Sequence, residues 1–259
     1  MPRTVSVLII NPNSSASMTT ALKPLLADLS HSYLSLDYYT APPTAPPSIN
    51  DEETSALSTS VTFPALLQFL TAPSDGQDPR HQAYTAYLVA CYSPHPLTTL
   101  LRNHADTPVL NIFEASLLHA LALARPFGIV TTGKYWESVL SDGTRRFLAT
   151  GKGLDVPADN GSESGGLGFG NFIGVRSTGL NAAELHSTAR EEVDRRIREA
   201  SAGLVREGAD IIILGCAGMS GMDEAVREGA RIAGKEVRII DGVRAGVVLL
   251  EGMVRAQIS

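Results

Sequence analysis

Two cysteines in 259 residues, at positions 91 and 216, are too few and too far apart for a secreted disulfide scaffold. Without a matching pair of histidines they also make a poor zinc site, so no metal is expected. No Lys/Arg cluster breaks a net charge of -6, which leaves nucleic acid without a basic footprint to bind. The longest apolar runs, residues 209–214 and 245–250, are too short to span a bilayer, so no membrane partner is expected. The N-terminal region has no signal-peptide pattern, because the apolar residues 5–10 run straight into Asn11-Pro12-Asn13, and the expected location is cytoplasmic. What is present is ordinary for a globular chain: 44% hydrophobic and 19% charged residues, enough for one large domain or two smaller lobes.

Short β-rich runs alternate with helical patterns, the signature of a parallel sheet flanked by helices. Strands are expected at 5–11, 34–39, 87–91, 109–113, 127–132, 210–216 and 237–241. Helices are expected at 14–29, 115–125, 135–150, 182–207, 222–233 and 243–256. The four prolines of 41–48 and the Gly/Ser/Asn-rich 151–170 read as loops.

The order of strand ends repeats. One strand ends at Asn11-Pro12-Asn13-Ser14 and another, 80 residues after Asn11, at Cys91. Later a strand ends at Thr131-Thr132-Gly133 and another, 84 residues after Thr132, at Cys216. Each cysteine is followed by a strand with an acidic end, Glu114 in one copy and Asp241 in the other. This is a duplicated α/β unit with one cysteine per copy. The expected fold is therefore α/β, with two pseudo-symmetric lobes, each a mostly parallel sheet flanked by helices. The expected lobes are 1–112 plus 226–259, and 113–225. Ligands bind beyond the carboxyl ends of such strands, so the cysteines are expected to face each other across the cleft between the lobes.

Two opposed thiols suit racemisation: a thiolate removes a proton from one face of a carbon while a thiol returns one to the other. The small residues after Cys216 allow backbone N–H groups to approach, which favours a thiolate there and also serves an oxyanion. Free cysteine is, however, among the most buried residue types, and packing is the plain alternative for each.

The segments Ile10-Asn11-Pro12-Asn13-Ser14-Ser15, Ala90-Cys91-Tyr92-Ser93-Pro94-His95-Pro96-Leu97 and Leu214-Gly215-Cys216-Ala217-Gly218-Met219 resemble the aspartate/glutamate racemase superfamily, in particular its hydantoin and allantoin racemase branch. The resemblance implies a cofactor-independent two-base mechanism with Cys91 and Cys216 as the acid/base pair. It also implies substrate contacts from Asn13, Ser14, Thr131 and Thr132, from the backbone N–H groups of Tyr92 and Ala217, and a homo-oligomer. The substrate class it implies is a small cyclic ureide. Bacterial members have a small residue after the first cysteine. Here Tyr92-Ser93-Pro94-His95 is more similar to fungal members, and Tyr92 is expected to narrow the pocket.

Other residues carry weaker signals. Glu114 and Asp241 either bind a substrate amide or cap the helices that follow them. His95 either lowers the pKa of Cys91 as a cation or sits as a capping or surface histidine. The remaining histidines are scattered. Residues 229–235 imitate a P-loop but lack the Ser or Thr that would hold magnesium and precede their strand. Three alternatives keep the fold: an amino-acid racemase, a one-cysteine isomerase or decarboxylase, or a non-catalytic small-molecule sensor.

Overall fold

In the computed structural model residues 4–71, 84–150 and 171–257 are described. The Gly-rich 151–170 lies outside them. The chain divides into two compact units, residues 1–91, 95–111 and 246–259 in one, and residues 92–94 and 112–245 in the other.

The first unit holds a four-stranded, all-parallel sheet in the order β2-β1-β3-β4, with β1 Val5–Asn11, β2 Leu34–Thr40, β3 Ala86–Val89 and β4 Val109–Asn111. Every residue of β1 is buried, as a central parallel strand covered on both faces must be, and this explains its continuous apolar run. Around the sheet run α1 Ala16–Leu26, α2 Glu52–Thr71 and α3 Pro96–His104. Leu8, Ile10, Leu66, Val89, Leu97 and Leu101 form the core of this unit.

The second unit repeats the pattern. Strands β5 Phe127–Thr131, β6 Phe172–Ser177, β7 Ile211–Gly215 and β8 Arg238–Asp241 lie in the order β6-β5-β7-β8, again all parallel. Its helices are α4 Ile112–Leu123, α5 Tyr135–Thr150, α6 Glu184–Ser187, α7 Arg190–Arg206 and α8 Asp223–Ile232. Val193, Ile197, Ala200 and Leu204 form the buried stripe of α7, while its Arg and Glu residues pair in solvent. The final helix, α9 Gly242–Ala256, begins in the second unit and ends in the first.

The duplication is thus carried through to strand order, but β6 and α2 stand where no element was expected, and three further details differ from the sequence reading. Residues 226–245 belong with the second unit, because β8 pairs with β7. The helix expected at 182–207 is broken: the chain turns extended at Thr188, where Ser187 and Thr188 are poor helix-interior residues, and α7 starts afresh at Arg190. Strand β4 stops at Asn111 and α4 begins at once, so Glu114 lies in the first turn of a helix. Register then pairs Val89 with Asn111 and Leu214 with Asp241, each two residues before a cysteine. The counterpart of Asp241 is Asn111, not Glu114.

The P-loop imitation is packing. Gly229 lies within α8, and a Cβ there would meet the backbone oxygen of Arg198 on α7 at 2.5 Å. The glycine lets two helices approach.

Candidate active site

In the first unit the carboxyl ends of β1 and β3 lie side by side, with Ile10 opposite Val89 and Ala90 N–H donating to Ile10 O at 2.8 Å. The chain leaves β1 through a turn that builds itself. The buried Asn11 amide nitrogen lies 3.0–3.1 Å from Asn13 Oδ1, Ser15 O and Thr19 Oγ1, while its Oδ1 accepts from Asn13 N–H at 3.1 Å. Asn13 Oδ1 also accepts from Ser15 N–H, which leaves Asn13 Nδ2 with only the sulfur of Met18 at 3.4 Å, a weak acceptor. Ser14 is half-buried next to Asn13, its N–H held by Pro46 O at 3.0 Å.

Beneath this turn the oxygen of Pro12 accepts from two wholly buried hydroxyls of α2, Ser58 Oγ at 2.6 Å and Thr62 Oγ1 at 3.3 Å. Replacing Ser58 with alanine is expected to cost about 1 kcal/mol of stability. It should also raise KM for substrate more than it lowers kcat, as read by urea unfolding and steady-state kinetics.

Cys91 follows β3 and is half-buried. The Tyr92 ring packs edge-on against Phe113 and its hydroxyl is hydrogen-bonded to Ser116 Oγ at 2.9 Å. Burial raises the phenol's pKa and keeps it neutral. The side chain is thus committed to packing. His95 is fully buried and caps α3, Nδ1 accepting from Leu97 N–H at 3.3 Å, with Thr59 Oγ1 at 3.4 Å. Burial pushes its pKa down to about 4, so it is neutral and cannot act on Cys91 as a cation. The capping alternative holds, in the interior and not on the surface.

In the second unit Thr131 lies opposite Gly215, and its hydroxyl donates to Gly215 O at 3.1 Å, pinning the strand that delivers Cys216. Thr132 is buried beside it, its carbonyl accepting from Gly179 N–H at 3.0 Å and from the Thr178 hydroxyl at 3.3 Å. A Cβ on Gly215 would come within 2.6 Å of the Val130 oxygen, so β7 can lie this close to β5 only with glycine there. Gly215→Ala is expected to cost about 1–3 kcal/mol by overpacking and to lower kcat by displacing the next residue. Thermal unfolding and activity measured together would check this.

That residue is Cys216, extended and half-buried, its sulfur accepting from Gly218 N–H at 3.4 Å in the 3-10 turn Ala217–Met219. Burial raises the thiol to about 11, and the Gly218 and Met219 N–H groups offset only part of the rise. The sequence reading expected those N–H groups to favour the thiolate; desolvation outweighs them, and the resting group is a thiol. Ala217 begins the turn. Of the two acids, Asp241 caps α9, its Oδ1 accepting from Val243 N–H at 2.8 Å and Arg244 N–H at 3.2 Å. Glu114 is buried in the first turn of α4.

In each unit, then, one cysteine stands at the carboxyl end of the strand next to the unit's first strand, beside a polar turn. Residues 7–250 match the model of the Asp/Glu/hydantoin racemase family. The chain belongs to that family. It is an enzyme of the racemase class. A fungal relative, an uncharacterized protein of Schizosaccharomyces pombe, is 36% identical over 252 residues, covering 97% of this chain and 92% of its own. A hydantoin racemase of Rhizobium meliloti is 27% identical over 250 residues, covering 96% of this chain and 88% of its own. The crystal structure of an allantoin racemase from Pseudomonas fluorescens shares the fold, with a TM-score of 0.74 and 23% identity over 98% of this chain and 93% of that one.

The structure brings Asn13, Ser14 and Cys91 to neighbouring strand ends of the racemase's first unit, and Thr131, Thr132, Cys216 and Ala217 to neighbouring strand ends of its second. Tyr92 and Glu114 fall in the second unit through the packing of α4. Sequence reasoning missed Ser58 and Thr62, because hydroxyls spaced along an otherwise mixed helix carry no signal of what they hold.

Proposed function

We propose that the enzyme racemises a five-membered cyclic ureide, a 5-substituted hydantoin or allantoin, using Cys91 and Cys216 as its two proton carriers. The observation that carries this reading is the placement of the cysteines, each within two residues of the end of the corresponding strand of two sheets with the same order. The reaction needs a group on each face of one carbon, and a duplicated unit provides one group per copy. In the direction written here the Cys91 thiolate takes the ring-carbon proton, the electron pair delocalises onto the flanking carbonyl oxygen, and the Cys216 thiol gives its proton to the opposite face. The raised pKa of Cys216 suits it to be the resting donor. Backbone N–H groups at Tyr92 and Ala217 would hold the developing oxyanion, and Asn13 Nδ2 would bind a ring carbonyl. The reading also takes Ser14, Thr131 and Thr132 as neighbours of the ring.

Proton NMR of L-5-substituted hydantoins and of one allantoin enantiomer, incubated with enzyme in D2O against an enzyme-free blank, tests the proposal. Deuterium should enter at the ring carbon, with optical rotation decaying in step. The absence of exchange above the blank for every ring would remove the ureide reading and turn the search to amino acids.

A further inference from the structure

The racemase reading gives Cys216 a proton to lose in every turnover of one direction, and that proton must be replaced. The surroundings of Gly218 contain a group able to replace it. The position a Cβ would take on Gly218 lies 3.6 Å from Cys216 Sγ, 3.2 Å from His186 Nε2 and 3.6 Å from Leu185 Cδ1. The thiol and the imidazole are therefore no more than 6.8 Å apart, and a side chain at 218 would crowd both. His186 belongs to α6, which is tied down by Leu185, buried in the same apolar cluster against which Cys216 packs. His186 itself is exposed, so its imidazole is open to exchange with solvent.

We propose that His186 is the proton exchanger for Cys216, returning to the sulfur, from water, the proton that the thiol gives to the substrate carbon. The step is balanced. The Nε2–H bond of the imidazolium breaks as the S–H bond forms, leaving a thiol and a neutral imidazole. The imidazole then takes a proton from a buffer acid or from water, which is left as its conjugate base. Burial raises the proton affinity of the Cys216 sulfur, so its thiolate takes a proton back readily. The inference rests on the proposed role of Cys216. His186 acts through that residue and is a positioning and relay residue, not a group that touches the ring.

Two measurements on the full chain test it with His186→Gln, which keeps a polar side chain at this exposed position but cannot relay a proton near neutral pH. At saturating ureide, kcat should fall roughly tenfold or more while KM falls with it or stays the same, and added imidazole should restore the rate in proportion to its concentration. An unchanged kcat, or a fall that imidazole does not restore, would overturn the proposal. The second measurement needs no substrate: the exchange of the Cys216 S–H with D2O, read from the isotope shift of its Cβ carbon by NMR. Exchange should slow roughly tenfold in the variant; equal rates in both proteins would sink the relay. A wild type that racemises no ureide yet shows His186-dependent thiol exchange would remove the ureide reading and leave the relay standing.

Discussion

Serine in place of either Cys91 or Cys216 is expected to lower racemisation by about 10²–10⁴-fold, because an alcohol at neutral pH neither accepts nor supplies the carbon's proton at a useful rate. The two variants should differ in one respect. Cys91→Ser leaves Cys216 alone, and a thiol pushed up to about 11 is only about 0.1% ionised at pH 8. Deuterium entry into either enantiomer should therefore vanish along with racemisation in this variant. The wild-type pH profile carries the same information. In the proposed mechanism turnover needs one proton shared between the two sulfurs, so kcat/KM falls when the last of them is lost. The alkaline limb is expected near pH 11, well above the roughly 8.5 of a free thiol, and it should be the same from both enantiomers because their equilibrium constant is one. A limb at 8.5 would mean that Cys216 is not the resting donor. Alkylation gives an independent check: in Cys91→Ser, iodoacetamide should react with Cys216 about a hundredfold more slowly than with a thiol of ordinary pKa.

Acid is expected to loosen the fold through one residue in particular. His95 is buried, neutral and held near pKa 4, against about 6.5 in an unfolded chain. Above pH 6.5 neither state binds the proton and the group costs nothing. Between 6.5 and 4 the unfolded chain takes up a proton that the native state refuses, so stability is lost as pH falls. The difference amounts to about 3 kcal/mol at pH 4. Urea unfolding of wild type and His95→Asn at a series of pH values checks this. Asparagine retains a cap acceptor for Leu97 N–H but does not titrate, and its stability should fall by about 3 kcal/mol less over that window. Parallel losses in the two proteins would place the acid sensitivity elsewhere.

Those two residues also mark how far the sequence could be read. Strands such as β1 and β7 are unbroken runs of Val, Ile and Leu, and buried parallel strands need little else. The repeat of polar ends followed by cysteine ends was visible because the chemistry sits at strand termini, where residue type is least constrained by packing. Helix α2 was not visible. Its buried face is Ser55, Ser58, Thr59, Thr62 and Leu66, a stripe of hydroxyls that no apolar periodicity reveals. The pairing of Asn111 with Asp241 escaped because a strand of three residues passes directly into a helix, and only hydrogen-bond register shows where it stops. The ionisation of Cys216 depends on a balance between burial and two N–H groups. Sequence supplied the N–H groups, but not the weight of the burial.

Helix α9 gives the first unit an unusual dependence on the order of synthesis. Most of that unit precedes the second in sequence, yet Val247, Leu250 and Val254 of α9 are buried and Gly246 lies against Leu88 of β3, so near that a Cβ would come within 2.5 Å of its side chain. The ribosome makes residues 112–245 in one uninterrupted stretch before it reaches these positions. The second unit is therefore complete while the first, begun earlier, still waits with the side of β3 uncovered. Domains usually fold in the order in which they are made; here the unit begun earlier is completed after the other, by the turns of α9.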